Sequence, residues 1–240
     1  MWDNDTLLRN IANTMLACSV IALLYGAGYY LLNLPGAFPL RSVRLSSAPQ
    51  NVAAEQVLRV LHTEVRGNLV TVDIERLRNS LEQLPWVRSV NIRREFPDRL
   101  AVHLEEHQVL ARWNDSGLVN RQGEVFVAES GKVMPSFIGP EGTSDEVTQH
   151  YAEFSLQLDA LDLQATQLVL SPRHAWQIRL SNGMLLELGR DDVQQRLARF
   201  VAVYPYTEDR ILNTKGSGAV HVDLRYRNGF AVRQSANDKG

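Results

Sequence analysis

Between Ile11 and Leu34 the chain carries no charged side chain, and nearly every residue is apolar or small. A helix needs roughly 20 such residues to cross a bilayer, and this run is long enough. Tyr25, Tyr29 and Tyr30 gather in its C-terminal half, where an interfacial aromatic belt sits. The run is longer than the roughly 7–15 residues of a signal-peptide core, and no clear A-x-A cleavage site follows. An uncleaved transmembrane anchor is expected. Its charges do not orient it: Arg9 precedes the span, while Arg41 and Arg44 follow it, so the positive-inside count does not favour an inside N-terminus.

The remaining chain completes 240 residues, enough for one large domain or two small ones. Net charge is −2, and no basic stripe points to nucleic acid. The single cysteine, Cys18, lies in the apolar run. The rest therefore has neither an internal disulfide nor a cysteine-based zinc site.

From Phe38 to Leu45 the pattern reads as a short strand. Ala53 to Val65 carries Val57, Leu58 and Leu61 at helical spacing, and Gly67-Asn68 breaks it. Asp73 is placed to cap a second helix with Ile74, Leu77, Leu81 and Leu84 on one face. Then Val90, Ile92 and Phe96 share one strand parity, interrupted by Arg94. Pro97-Asp98 turns the chain, and Leu100, Val102 and Leu104 resume the alternation as a hairpin. Trp86 suits either a binding aromatic or a corner of the core, and the bulk of large aromatics favours the core.

Further on, Val109 to Trp113, Leu118-Val119, Val125 to Val127 and Met134 to Ile138 read as short strands between turns. Ser144 is placed to cap a helix to about Leu161, with Tyr151, Phe154, Leu158 and Leu161 at helical spacing. Leu168 to Leu170 and Trp176 to Leu180 are strands. Asn182-Gly183 signals a tight hairpin returning along Met184 to Leu188. Asp191 opens a helix whose one face is Val193, Leu197, Phe200 and Val201. Gly216-Ser217-Gly218 reads as a flexible link. Two strands then flank Asn228-Gly229.

Two of these stretches resemble a known family. Leu84-Pro85-Trp86-Val87, Glu95-Phe96-Pro97-Asp98-Arg99-Leu100 and the run Val102 to His107 resemble the end of a POTRA domain, in particular that of the FtsQ/DivIB cell-division family. Val222-Asp223-Leu224-Arg225-Tyr226, followed by Asn228-Gly229-Phe230-Ala231, resembles the C-terminal hairpin of that family. So does the preceding order Trp176-Gln177, Leu188-Gly189-Arg190, Arg196 to Phe200 and Tyr204-Pro205. The resemblance implies an α+β fold: a cytoplasmic tail (1–10), a transmembrane helix (11–34), a βααββ POTRA domain (38–107), a mostly antiparallel β domain with two helices (108–233) and a C-terminal tail (234–240). It also implies a non-enzymatic, single-pass inner-membrane scaffold with a periplasmic body at the division septum. Its implied partners are FtsB and FtsL, and through them the peptidoglycan synthases FtsW and FtsI. Family contacts fall on Arg225, Tyr226 and Arg173, with Gly229, Phe230, Ala231, Val232 and Arg233 forming the strand that meets a partner. Phe230 and Val232 suit core packing as well, since only one strand face points outward. Some relatives carry a tryptophan where this chain has Gln234.

Other readings are weaker. A different POTRA-containing chaperone or assembly protein would show repeated POTRA units or a C-terminal barrel, and neither is visible. An anchored hydrolase needs a nucleophile or metal set. His103-Leu104-Glu105-Glu106-His107 matches the H-x-x-E-H pattern of inverted zinc peptidases, but on a strand four residues span roughly 13 Å, too far for imidazoles sharing one zinc at about 2 Å. No cofactor or metal is expected. Arg93, Arg94 and Arg99 suit anion binding or, more simply, a solvated strand face.

Because the apolar run is separate from both domain patterns, deleting Ile11–Leu34 is expected to leave a folded, soluble body. Cooperative denaturant unfolding of the truncated chain checks this. An insoluble or non-cooperative product, alongside a folded full chain in detergent, would contradict it.

Overall fold

The alternation at Leu100, Val102 and Leu104 is that of a strand with one buried face, and all three side chains are buried. The computed structural model describes residues 5–34, 36, 38–46, 49–115, 117–212, 220–227 and 229–234. The Gly216-Ser217-Gly218 link, Asn228 of the last turn and the tail beyond 234 lie outside them. The chain divides into two units, with the break between Glu106 and His107.

The first unit begins with α1 (Asp5–Asn33), exposed along its apolar length and long enough to cross a membrane. Then follow β1 (Ser42–Leu45), α2 (Ala54–Glu64), α3 (Ile74–Glu82), β2 (Val87–Glu95) and β3 (Arg99–Glu106). The sheet order is β1-β3-β2, with β1 parallel and β2 antiparallel to β3. Asp73 caps α3 by accepting from Arg76 N–H at 3.0 Å. Val57 and Leu61 of α2, Leu77 and Leu81 of α3, and Leu100 and Val102 of β3 fill one core, against which Trp86 packs half-buried. Trp86 is thus a corner of the core. Leu58 points outward instead.

Two expectations need correction here. Phe96 does not belong to the buried face of β2: the strand ends at Glu95, and the ring is 65 % exposed in the turn. The buried set is Val87, Val90 and Ile92, with a register shift between Val87 and Ser89 that resets the parity. Arg94 is not merely solvated either. Its guanidinium donates to the carbonyl oxygens of Leu69, Val70 and Val72, at 2.8, 3.2 and 3.1 Å, and so fixes the approach to α3.

Glu106, at the end of β3, accepts from the backbone N–H groups of Gln50, Asn51 and Val52. Burial pushes its carboxyl up, but these donors together outweigh it and hold the group below the usual carboxylate range.

The second unit is a nine-stranded sheet, among the described residues, with helices on it. The strands are β4 (Val109–Trp113), β5 (Gly117–Asn120), β6 (Val125–Phe126), β7 (Ser136–Ile138), β8 (Ala165–Leu170), β9 (Trp176–Leu180), β10 (Leu185–Gly189), β11 (Val220–Asp223) and β12 (Ala231–Gln234). Their order is β12-β11-β10-β9-β8-β7-β4-β5-β6. Five of the eight neighbouring pairs are antiparallel. The parallel ones are β4/β7, β7/β8 and β10/β11. Two of those parallel steps contain helices, as parallel connections require: α4 (Ser144–Leu158) between β7 and β8, and α5 (Val193–Leu212) between β10 and β11. The residue preceding α4 is Thr143, so Ser144 is its first helical residue and not its cap.

Phe137, Phe154 and Phe200 are wholly buried between sheet and helices. Trp176 lies against Phe154, edge-on at 5.9 Å, and is stacked on His150 at 4.4 Å. At the β9/β10 hairpin, Gly183 takes φ +83°, the left-handed conformation that such a turn demands, and Asn182 Oδ1 accepts from Met184 N–H at 3.1 Å.

The contrast within the first hairpin is testable. Leu100→Ala, at a fully buried site, should cost about 2–5 kcal/mol in urea unfolding. Phe96→Ala, at an exposed one, should cost less than about 0.5 kcal/mol.

Candidate partner-binding site

The last hairpin ends the large sheet. β12 pairs antiparallel with β11 and has no other neighbour among the described residues, so one of its edges carries unpaired backbone donors and acceptors. Register settles which way its side chains point. Val232 lies opposite the buried Val222, whereas Ala231 and Arg233 lie opposite Asp223 and His221. Residues directly opposite each other share a sheet face. Val232 therefore turns toward the core, and Ala231 and Arg233 turn away from it. Phe230 joins the core side, its ring 6.0 Å from that of Phe200 and edge-on to it. Both Phe230 and Val232 are half-buried against the core. Their side chains hold β12 against the core, and its outer edge is left to backbone groups.

Arg225, just after β11, is not a free cation. Asp223 accepts from its backbone N–H at 3.0 Å, from Nε at 2.9 Å and from Nη2 at 2.7 Å. Glu187 of β10, in register with Asp223, forms an ion pair with Arg225, its Oε1 2.9 Å from Nη1. The Arg225 hydrogen bonds hold the Asp223 carboxyl below the usual range against the opposing effect of burial. The same bonds, with the Glu187 and Asp223 charges behind them, push Arg225 up. His221 completes the cluster, its Nε2 3.3 Å from Glu187 Oε2 but without hydrogen-bond geometry. About half of the Arg225 side chain remains exposed, so a fixed cation faces outward.

Around it run two adjoining depressions. One, of about 340 Å³, is lined by Arg173, Gly189, Arg190, Arg196 and Arg225. The other, of about 460 Å³, is lined by Arg196, Arg199, Arg225, Tyr226 and Arg227. Asp191 and Asp192 are the acids on their walls. Arg196 is itself anchored, donating Nη1 to the Leu188 carbonyl at 2.6 Å, and Arg199 donates to the Arg227 carbonyl. Gly189 makes this packing feasible. Its φ is +75°, and a Cβ there would lie 2.7 Å from Arg196 Nη1 and 3.1 Å from Arg225 Cγ.

The structure thus brings Arg173 and Arg225 to one depression and sets Tyr226, 52 % exposed, beside them. A Cβ at Gly229 would meet nothing within 4 Å. Sequence reasoning did not single out Arg190, Arg196, Arg199 or Arg227, nor the Glu187 and Asp223 carboxylates. The available signal was the crowding of arginines around Gly189 and at Arg196 and Arg199, one helical turn apart.

Comparisons with known proteins agree from both ends of the chain. Residues 38–107 match the family "POTRA domain, FtsQ-type", and residues 111–225 match "Cell division protein FtsQ/DivIB, C-terminal". The chain is 40 % identical over 238 residues to a protein of Nitrosospira multiformis named "Cell division protein FtsQ", covering 97 % of this chain and 99 % of that one. It is 38 % identical over 240 residues to the Burkholderia pseudomallei protein of the same name, covering 97 % and 94 %. Against the Escherichia coli protein so named, it is 38 % identical over 171 residues, covering 69 % and 62 %.

The ionic cluster has a pH signature. A carboxyl whose folded pKa is depressed contributes stability above its unfolded pKa, and loses it as pH falls through the folded value. Asp223→Asn should cost about 1 kcal/mol at neutral pH, discounted because Arg225 is half exposed. That difference should close as the wild type is acidified below the ordinary aspartate range. Denaturant titrations of both proteins across acid pH check this, and a pH-independent gap would contradict it.

Proposed function

The chain belongs to the FtsQ/DivIB family of cell-division proteins, and from that premise we propose that it is a non-enzymatic scaffold of the division machinery. In this reading α1 holds it in the inner membrane, with the N-terminus cytoplasmic and the folded body periplasmic at the septum. The body binds the periplasmic parts of FtsB and FtsL, and through them is tied to FtsW, FtsI and septal peptidoglycan synthesis.

The observation that supports this most is the outer edge of β12, without a neighbour among the described residues, beside Tyr226 and a pre-set Arg225. An extended partner segment added to that edge gains main-chain hydrogen bonds, while neighbouring side chains select its sequence. Arg173, Arg190, Arg196 and Arg225 favour acidic residues beyond the strand, since a guanidinium receives carboxylate at two points. Open space at Gly229 lets a partner backbone approach closely. Arg225 is already ordered by Asp223 and Glu187, so little of its side-chain entropy is lost on binding.

This geometry also decides which variants are informative. Arg225→Glu would crowd three carboxylates and disturb the hairpin, so Arg225→Gln is the cleaner change. Tyr226→Ala removes an exposed aromatic of the kind that dominates interfaces, and should weaken binding by roughly 2 kcal/mol or more. Arg225→Gln should weaken it too, and more strongly at low salt, where charge attraction is less screened. Glu141→Ala, in an exposed loop, should leave binding unchanged. Titration of each folded variant with a periplasmic FtsB–FtsL fragment is the measurement. Wild-type affinity in both Tyr226→Ala and Arg225→Gln would rule out this hairpin as the site.

A further inference from the structure

One side of the first unit is tied to the end of α1. The Leu32 carbonyl, an acceptor that a helix C-terminus leaves unsatisfied, receives Asn68 Nδ2 at 2.5 Å. Asn68 is 5 % exposed, and its Oδ1 accepts from Val70 and Thr71 N–H at 2.9 Å, so it is held in place. The next residue, Leu69, donates its N–H to the Phe38 carbonyl at 2.9 Å. Arg41 N–H donates to the Asp98 carbonyl at 2.9 Å, which joins that segment to the β2–β3 turn. The α2–α3 loop, residues 38–41 and the turn thus form one rim around the helix end.

On this rim two rings stand outside the core. Phe38 is 43 % and Phe96 65 % exposed, their centroids 6.2 Å apart and nearly perpendicular. Four arginines, Arg41, Arg66, Arg94 and Arg99, share the rim with three acids, Asp73, Glu95 and Asp98. The balance, four minus three, is +1. Asp98 lies 3.9 Å from Arg41 and 3.5 Å from Arg99, and both arginine side chains stay more than half exposed.

What lies against these rings follows from where α1 ends. Its apolar stretch closes at Leu32, after the exposed Tyr29 and Tyr30. Aromatics of that kind mark the headgroup level, and a loop hydrogen-bonded to Leu32 is at the same level. Aromatic rings interleaved with cations suit the boundary between acyl chains and anionic headgroups. We propose that Phe38 and Phe96 insert into the headgroup region of the leaflet from which α1 emerges, and that this rim fixes the first unit on the membrane. The inference rests on α1 being a membrane anchor, and is independent of what β12 binds.

The test uses the full chain in vesicles of phosphatidylethanolamine and phosphatidylglycerol, with Cys18→Ser and one nitroxide at a time. Labelled positions are Val20→Cys in the helix, Phe38→Cys, Phe96→Cys, and Gln83→Cys at the end of α3. Gln83 lies beyond the start of β2, roughly 30 Å from its turn at about 3.3 Å per residue. Spin-relaxation measurements compare collisions with lipid-dissolved oxygen and with a water-soluble nickel chelate. The oxygen-to-nickel ratio should be severalfold higher at 38 and 96 than at 83. Ratios at 38 and 96 equal to that at 83, with Val20 still lipid-like, overturn the insertion and leave the anchor standing. A water-like Val20 overturns the anchor and the insertion with it. Shielding at 96 that appears only after a second protein is added also overturns it, and assigns the rim to that protein.

Discussion

Everything at the C-terminal end depends on β11 lying parallel to β10. That pairing cannot be made by a tight turn; it needs a crossover, and α5 supplies one. Phe200 of α5 then lies beneath the last hairpin and receives Phe230. Leu186, Leu188, Val222 and Leu224 are buried along the same seam. Because β11 is fixed by the ladder on one side and by this packing below, β12 is laid down at the end of the sheet with its far edge unpaired among the described residues.

The same parallel register puts Glu187 next to Asp223 on the face away from the core. Two carboxylates side by side would repel. Arg225 removes the repulsion by binding both, with four charge-assisted or backbone contacts at 2.7–3.0 Å. The cluster is half open to water, so its net contribution to folding is modest. Its larger effect is geometric. A long side chain that would otherwise sample many rotamers is held in one direction, between the two depressions that carry the other arginines.

Much of this was legible in the sequence, because its signals are local. Leu100, Val102 and Leu104 announce β3 by alternation alone, Asp73 announces a cap, and Asn182-Gly183 announces a hairpin. The α+β class and the helix–strand order follow from such features. The failures are non-local. Phe96 shares the parity of the buried Val90 and Ile92, but the ladder stops at Glu95, so its ring falls in the turn and outside the core. Arg94 satisfies carbonyls more than 20 residues away, a contact with no sequence spacing to betray it. Glu187 is in the same position relative to Arg225: only the crossover of α5 makes them neighbours. At the candidate site, periodicity located the strand and family resemblance named Arg173, Arg225 and Tyr226. Which side chains hold the strand down and which are left outward required the register.

The brevity of β12 bears on selectivity. Among the described residues its ladder with β11 is four residues long. An edge that short offers an incoming segment only a few backbone bonds, each contributing about 0.5–1.5 kcal/mol net. Such a margin does not offset the entropy of immobilising an arbitrary extended chain. A second copy of this edge would bring Arg233 and the arginines around Arg225 against their own kind, and like charges disfavour that pairing. The exposed edge is thus protected from fibril-like stacking by being short and cationic. In the proposed binding mode, what the edge retains is chosen by groups flanking the strand, so discrimination between partners is set by side-chain chemistry at either end of the four described residues.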